Sequence, residues 1–270
     1  MTTTISLLCP EGIVLAADSR EGIIDPYTGN YLKIRDNVKK IISLKNTAGV
    51  AMSCWGLATV SEAEKPDKDI IPFLEEFNNT TLEKGDSIEQ VANKLKARLE
   101  AALPQLDKSM GFHIAGYLKS AGKQPVPLLR HVFHSDGQPN GTFINEDCQQ
   151  EYHLGNGDKV IHHIPKRYPV LFNGENLIAN ALFNFAPFIR PQFRIISDRL
   201  SLKECIELAD LIVSTSINRL NYFFDLRAFD KISQIVGGTA TIATITTEKG
   251  FSWIKEPKLE EPKEVAIKGD

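Results

Sequence analysis

The chain has 270 residues, 42% of them hydrophobic and 24% charged, with a formal net charge of −3. That balance belongs to a globular protein with a sizeable core, and the even spread of Lys and Arg leaves no electrostatic footprint for nucleic acid or a membrane surface. No apolar run approaches the roughly 18 residues of a membrane span, and no secretory signal pattern opens the chain. Cys9, Cys54, Cys148 and Cys205 lack the spacing of a zinc or disulfide framework. They are expected as reduced core thiols of a cytoplasmic protein, in which the N-x-T matches at Asn79 and Asn140 carry no glycosylation meaning.

Three hydroxyl residues, Thr2, Thr3 and Thr4, run straight into an apolar, β-prone stretch at 5–9. Pro10, Glu11 and Gly12 supply turn chemistry, and 13–17 is apolar again, so a β-hairpin is expected. Neither strand has a clean polar face, which predicts cover on both sides. A Gly/Asp/Pro/Asn-rich loop is expected over 22–37, then a second strand pair at 39–44 and 50–54. Helical spacing follows at 70–77. Ser87 and Gln90 form a capping box ahead of Ile88, Val91, Ala92, Leu95 and Leu99. Strands are expected at 112–118, 126–133 and 159–164, and a helix at 176–185. A second capping box, Ser201 with Glu204, opens a long helix through Leu220, and a hairpin at 240–246 and 251–254 closes the domain. The order predicts an α+β fold, two antiparallel sheets stacked between helix pairs in a four-layer αββα sandwich. Residues 1–254 read as one domain, and 255–270 as a charged, extended or disordered tail.

The N-terminus carries the chemistry. Methionine is generally removed before a small residue, and Thr2 would then hold both a hydroxyl and a free α-amine. A hydroxyl needs a base to become a nucleophile, and a terminal amine of pKa about 7.7–8.0 can serve. A nearby cation would keep that amine from protonating, a carboxylate would orient the cation, and backbone N–H groups would face the oxyanion. Lys40 and Asp18 stand at strand ends that could lie beside Thr2. Lys39 and Lys40 point to opposite faces, so only one can reach it.

Thr2-Thr3-Thr4, the run from Gly12 to Arg20 (GIVLAADSR) and that from Asn37 to Ile41 (NVKKI) resemble the start of a proteasome β-subunit. That family consists of N-terminal nucleophile hydrolases with the αββα fold. The resemblance implies Thr2 as nucleophile, Asp18 as orienting carboxylate and Lys40 as cation, with Ser19 and Arg20 shaping the site. Cys54 or Trp55 falls where the family's oxyanion N–H lies. Asn173 stands where the family has a serine, Val236 at a later serine, and Ser233 near an aspartate position. These departures, with Thr2 directly behind Met1, fit an ancestral bacterial (Anbu-like) branch. The resemblance also implies peptide or unfolded-protein substrates, no metal or organic cofactor, and a homo-oligomeric ring or open spiral.

Plainer readings attach to other residues. His131, His134 and Asp136 could suggest a metal site, but on a strand residues i and i+3 face opposite sides, as do the neighbours His162 and His163, so no metal site is expected. Gly155 to Gly157 reads as a turn. Two rival functions share the fold: an inactive structural subunit, against which the joint presence of Thr2, Asp18 and Lys40 argues, and an amidase for a small non-peptide amide.

Overall fold

The computed structural model describes residues 2–24, 31–45, 47, 49–56, 59–60, 68–118, 125–135, 137–148, 170–174, 177–185, 199–222 and 236–257. The expected strand at 159–164 and the tail beyond 257 lie outside them. β1 (Thr3–Cys9) and β2 (Gly12–Asp18) form the predicted hairpin, and every residue of both is buried. The expected loop at 22–37 is instead largely a second hairpin, β3 (Glu21–Ile24) with β4 (Tyr31–Arg35). The β-prone runs at its two ends pair, although turn-forming residues dominate its middle. β5 (Ile41–Ser43) and β6 (Ala51–Trp55) follow, then the short β7 (Thr59–Val60) and β8 (Lys68–Asp69).

α1 (Ile70–Thr80) runs three residues past its expected end, and Pro72 is tolerated because it sits in the first turn. α2 (Ile88–Ala102) begins at the predicted capping box: Gln90 N–H donates to Ser87 Oγ at 3.2 Å, and Ser87 N–H to Gln90 Oε1 at 2.8 Å. β9 (Met110–Leu118), β10 (Val126–His134), β11 (Ile144–Asp147) and β12 (Val170–Gly174) come next. α3 (Leu177–Asn180) passes into a π-helical turn at Ala181–Phe185. α4 (Leu202–Tyr222) opens on the second capping box, with Glu204 N–H donating to Ser201 Oγ and Ser201 N–H to Glu204 Oε2. β13 (Ala240–Thr246) and β14 (Gly250–Lys255) form the closing hairpin.

Two five-stranded antiparallel sheets result, β12-β1-β2-β13-β14 and β11-β10-β9-β6-β5. Three apolar clusters separate four layers. Met52, Phe112 and Ile114 pack under Phe73, Phe77, Leu95 and Leu99 of α1 and α2. Ile5, Leu7, Val14 and Ile242 pack on Ala209, Ile212 and Val213 of α4. Leu8, Ile13 and Leu15 meet Ile41, Ala51, Ala115 and Leu129 between the sheets. The strands are apolar on both sides because both sides are buried. Among the described residues, no helix is long and apolar enough to cross a membrane.

The helix α1 layer and its caps give a graded stability test. Phe77→Ala should cost about 3–5 kcal/mol by leaving a cavity under α1 and α2, whereas Ser87→Ala should cost only about 1 kcal/mol through the lost cap. Urea denaturation of both variants checks the ranking, and equal losses would contradict it.

Candidate active site

Alternation along β1 decides what faces what. Ile5, Leu7 and Cys9 pack toward α4, so the even positions and Thr2 look into the gap between the sheets. There each meets a successive element of the second sheet. Lys40, at the head of β5, donates from Nζ to Thr2 Oγ1 at 3.0 Å. Thr4 Oγ1 lies 3.1 Å from Ser53 Oγ on β6, and Ser6 Oγ lies 2.9 Å from His113 Nδ1 on β9. Leu8, the next even residue, belongs to the apolar cluster between the sheets. β1 therefore crosses β5, β6 and β9 in turn, with a polar seam at its start and a dry core at its end.

Asp18 ends β2 with no solvent exposure. Its Oδ1 accepts from Lys40 Nζ and from Thr3 N–H, each at 2.9 Å. Its Oδ2 accepts from Arg20 N–H and Gly237 N–H, each at 3.2 Å. All four acceptor sites are occupied, as an ionised carboxylate buried in protein requires. Lys40 is 5% exposed and Thr2 5%. Lys39 points the other way, 5.1 Å over the Trp253 ring. Lys40 thus bridges Thr2 and Asp18.

The flanking residues play more local parts. Ser19 Oγ accepts from Thr239 N–H at 2.8 Å, tying the end of β2 to the approach of β13. Arg20 grips Asp36 with two bonds, Nε to Oδ1 at 2.6 Å and a terminal nitrogen to Oδ2 at 2.9 Å. A Cβ on Gly237 would collide with its guanidinium. Val236 is buried, and Ser233 lies outside the described residues, as do Asp136, His162, His163 and Gly155 to Gly157.

β12 brings its chain against the N-terminal strand, with Thr3 opposite Gly174 and Thr4 opposite Asn173. Gly174 has φ of 79°, and a Cβ there would overlap the Thr2 carbonyl; both demands fit glycine alone. Asn173 turns its Oδ1 to His113 Nε2, at 2.7 Å. A donor is needed opposite that oxygen, so His113 carries its proton on Nε2 and accepts the Ser6 hydroxyl at Nδ1. His131 lies edge-on to His113, with centroids 5.3 Å apart, and accepts from the Trp55 indole N–H at 3.3 Å. His134 faces away, to the Thr142 carbonyl and the Phe143 ring.

Of the two expected oxyanion donors, Cys54 is taken: its backbone N–H donates to the Lys40 carbonyl at 3.1 Å. Trp55 is paired opposite Gly111 as the last residue of β6. Gly56 is the first residue beyond the ladder, with φ of 97°, and a Cβ on it would lie 2.5 Å from Met110 Cα. Gly56 lines a cavity together with Thr2, Glu21, Lys40 and Trp55. Cys54 also borders it, but burial pushes that thiol up to about 12, so it is no rival nucleophile. Glu21 and Gly56 were missed from sequence, the first because its strand read as loop, the second because one glycine after a strand carries no signal of its neighbours.

Burial pushes His113 down from 6.5 to about 4, against the opposing pull of its bond to Asn173. Burial also holds His131 well below the ordinary range, helped by repulsion from His113. The native state therefore refuses protons that the unfolded chain accepts below pH 6.5. Stability is unaffected above that pH and falls as pH drops toward 4, by about 3 kcal/mol from His113 alone. His113→Gln should flatten the pH dependence of the denaturation midpoint between pH 6.5 and 4. An unchanged slope would contradict the assignment.

Neither known family profiles nor curated proteins match the chain. Solved structures do. A mutant of Anbu from Hyphomicrobium sp. strain MC1 superimposes with a TM-score of 0.54 at 15% identity, over 97% of this chain and 89% of that one. Anbu (ancestral beta-subunit) from Yersinia bercovieri gives a TM-score of 0.49 at 13% identity, over 94% and 87%. The chain shares the fold of the Hyphomicrobium Anbu structure, an αββα sandwich of two five-stranded sheets.

Proposed function

We propose that the protein is a threonine-type peptidase whose nucleophile is Thr2, exposed by removal of Met1. The observation that carries this reading is the contact of Lys40 Nζ with both Thr2 Oγ1, at 3.0 Å, and the buried Asp18, at 2.9 Å.

The α-amine of Thr2, acting through a water molecule, takes the hydroxyl proton as Oγ1 attacks the carbonyl carbon of a peptide bond. Lys40 supports this in two ways. Its ammonium stabilises negative charge as it grows on Oγ1, and it disfavours protonation of the adjacent amine. Asp18 holds the ammonium in place. The Gly56 N–H, free of the strand ladder and on the cavity wall, is our choice of oxyanion donor in place of Cys54, with Trp55 beside it. Collapse of the tetrahedral intermediate breaks the C–N bond. The leaving nitrogen takes the proton, leaving an ester on Thr2, and water then hydrolyses the ester to the free acid and restores Oγ1–H. No step calls on a metal or organic cofactor. By resemblance, the working form is a cytoplasmic homo-oligomer, a ring or open spiral, acting on peptides or unfolded protein.

The rival reading, an inactive subunit, draws on Asn173 and Val236. Asn173 Oδ1 is engaged by His113 and Val236 is apolar and buried, so neither supplies the hydroxyl expected of the family. One experiment separates the two. Purified protein treated with a small electrophile directed at N-terminal threonine should gain one adduct by intact mass and should lack Met1. Thr2→Ala should give none, and Lys40→Ala should label at least about 100-fold more slowly while keeping its fold by circular dichroism. A retained Met1, or labelling independent of Thr2 or Lys40, would overturn the proposal.

A further inference from the structure

All four cysteines are buried and free, and two of them meet. Cys9 ends β1 on the α4 side and pairs opposite Gly12 across the β1–β2 turn. The first turn of α4 is docked on that turn. Leu202 N–H donates to Glu11 Oε2 at 3.0 Å, and a Cβ on Gly12 would lie 2.9 Å from Leu202 Cδ1. Cys205 stands three residues further along α4 and shares the Leu202 face, which sets it over Cys9. Both thiols belong to the apolar cluster under α4, neither has solvent exposure, and they hydrogen-bond each other. Cys54 and Cys148 lie apart from them, in the two other clusters.

The two sulfurs are not equivalent. Cys9 S–H donates to the Gly12 carbonyl at 3.3 Å, which leaves its sulfur to accept, and the Cys205 S–H takes that place. The bond from Cys205 holds the Cys9 thiol down to about 7, against burial and the Glu11 carboxylate and with help from the N–H groups of Glu11 and Gly12. The same contact pushes Cys205 up. One sulfur is thus the readier thiolate, and the other keeps its proton beside it. That is the division between an attacking and a resolving thiol. Packing as small apolar side chains would not require the two to touch.

We propose that Cys9 and Cys205 are a peroxide-oxidised pair whose disulfide staples α4 to the N-terminal hairpin. The Cys9 thiolate attacks one oxygen of hydrogen peroxide, the O–O bond breaks, and a sulfenic acid and hydroxide result. The Cys205 sulfur then displaces the sulfenic oxygen from Cys9, and its proton leaves with that oxygen as water. Two thiols and one peroxide give one disulfide and two waters, with two electrons passing from sulfur to oxygen. Pro10 and Glu11 are exposed at the adjoining turn, where a local opening admits so small an oxidant. The bridge closes most of the chain into one ring, the cross-link that restricts an unfolded chain most. Nothing in this chemistry depends on Thr2.

The full reduced chain, treated with a small excess of hydrogen peroxide, quenched, unfolded and alkylated, tests this by intact mass and peptide mapping. It should lose about 2 Da, keep Cys54 and Cys148 open to alkylation, and yield a cross-linked peptide joining Cys9 to Cys205 that dithiothreitol removes. The urea midpoint should rise by on the order of 1 M on oxidation and return on reduction. Thiols that all stay free at a dose that fully oxidises glutathione would sink the proposal. So would a bridge to another cysteine or another molecule, oxygen gained without a bridge, or an unmoved midpoint. An equal yield of the same bridge from urea-unfolded chain would show that native placement is not its cause. The wild-type map needs no variant. In Cys205→Ser the resolving sulfur is gone, so the Cys9 sulfenic acid should persist and be trapped by dimedone, whereas a thiol that merely fills the core would give no adduct.

Discussion

A buried ion pair, Asp18 with Lys40, is the constraint around which the rest of the molecule is arranged. Neither side chain has appreciable exposure, so each would lose several kcal/mol of hydration on folding without compensation. Compensation comes from four separate stretches of chain. Thr3 on β1, the Arg20 backbone beyond β2, and Gly237 before β13 supply N–H groups, and Lys40 reaches across from the other sheet. The carboxylate thus records whether both sheets and the approach to β13 are in place together. A local hairpin could hold Asp18 near Thr3, but only the closed sandwich brings Lys40.

The same logic extends along β1. A hydroxyl buried between two sheets is tolerated when it finds a partner, and Thr2, Thr4 and Ser6 find theirs on three neighbouring elements of the facing sheet. The polar contacts stop at Leu8, where the inter-sheet cluster begins. Polarity therefore fades with distance from Thr2, and the gap between the sheets is a site at one end and a core at the other. Gly174 fits this picture: at its position against Thr2, any side chain would push the first residue of the seam out of line.

What could be read from the sequence divides by range. The β1–β2 hairpin and both capping boxes were legible because their signals are local: β-branched runs around a turn, and Ser-x-x-Gln or Ser-x-x-Glu before helical spacing. Thr2, Asp18 and Lys40 stood out in the sequence because residue type and chain order coincide there with a known pattern, and the structure places Lys40 between the other two. His113 was not. It pairs with Ser6, 107 residues away, and an isolated histidine in an apolar strand gives no hint of its partner. The Glu21–Arg35–Asp69 cluster, in which Arg35 bonds both acids, was hidden for another reason. Reading 22–37 as loop removed the strand pairing that sets Glu21 opposite Arg35. Motif position alone could not say that the Cys54 N–H is already bonded to the Lys40 carbonyl.

The replaced serine looks different once the seam is seen as a unit. An asparagine at 173 could have supplied its oxygen to the N-terminus, but that oxygen is held by His113, whose other nitrogen holds Ser6. Asn173 therefore fastens β12 to β9 and braces the edge strand that carries Gly174 against Thr2. With Val236 buried and apolar, the polar groups in contact with the Thr2 side chain among the described residues reduce to Lys40 and, through it, Asp18. On the proposed reading, a terminal amine in this site would be tuned by one ammonium rather than by a set of hydroxyls. The ammonium is fixed by a saturated carboxylate, and the strand under it is fixed by the histidine seam. Rigidity of position would then stand in for the missing hydrogen-bond partners, because an ammonium held within 3.0 Å of Oγ1 acts on that oxygen without needing to reorganise.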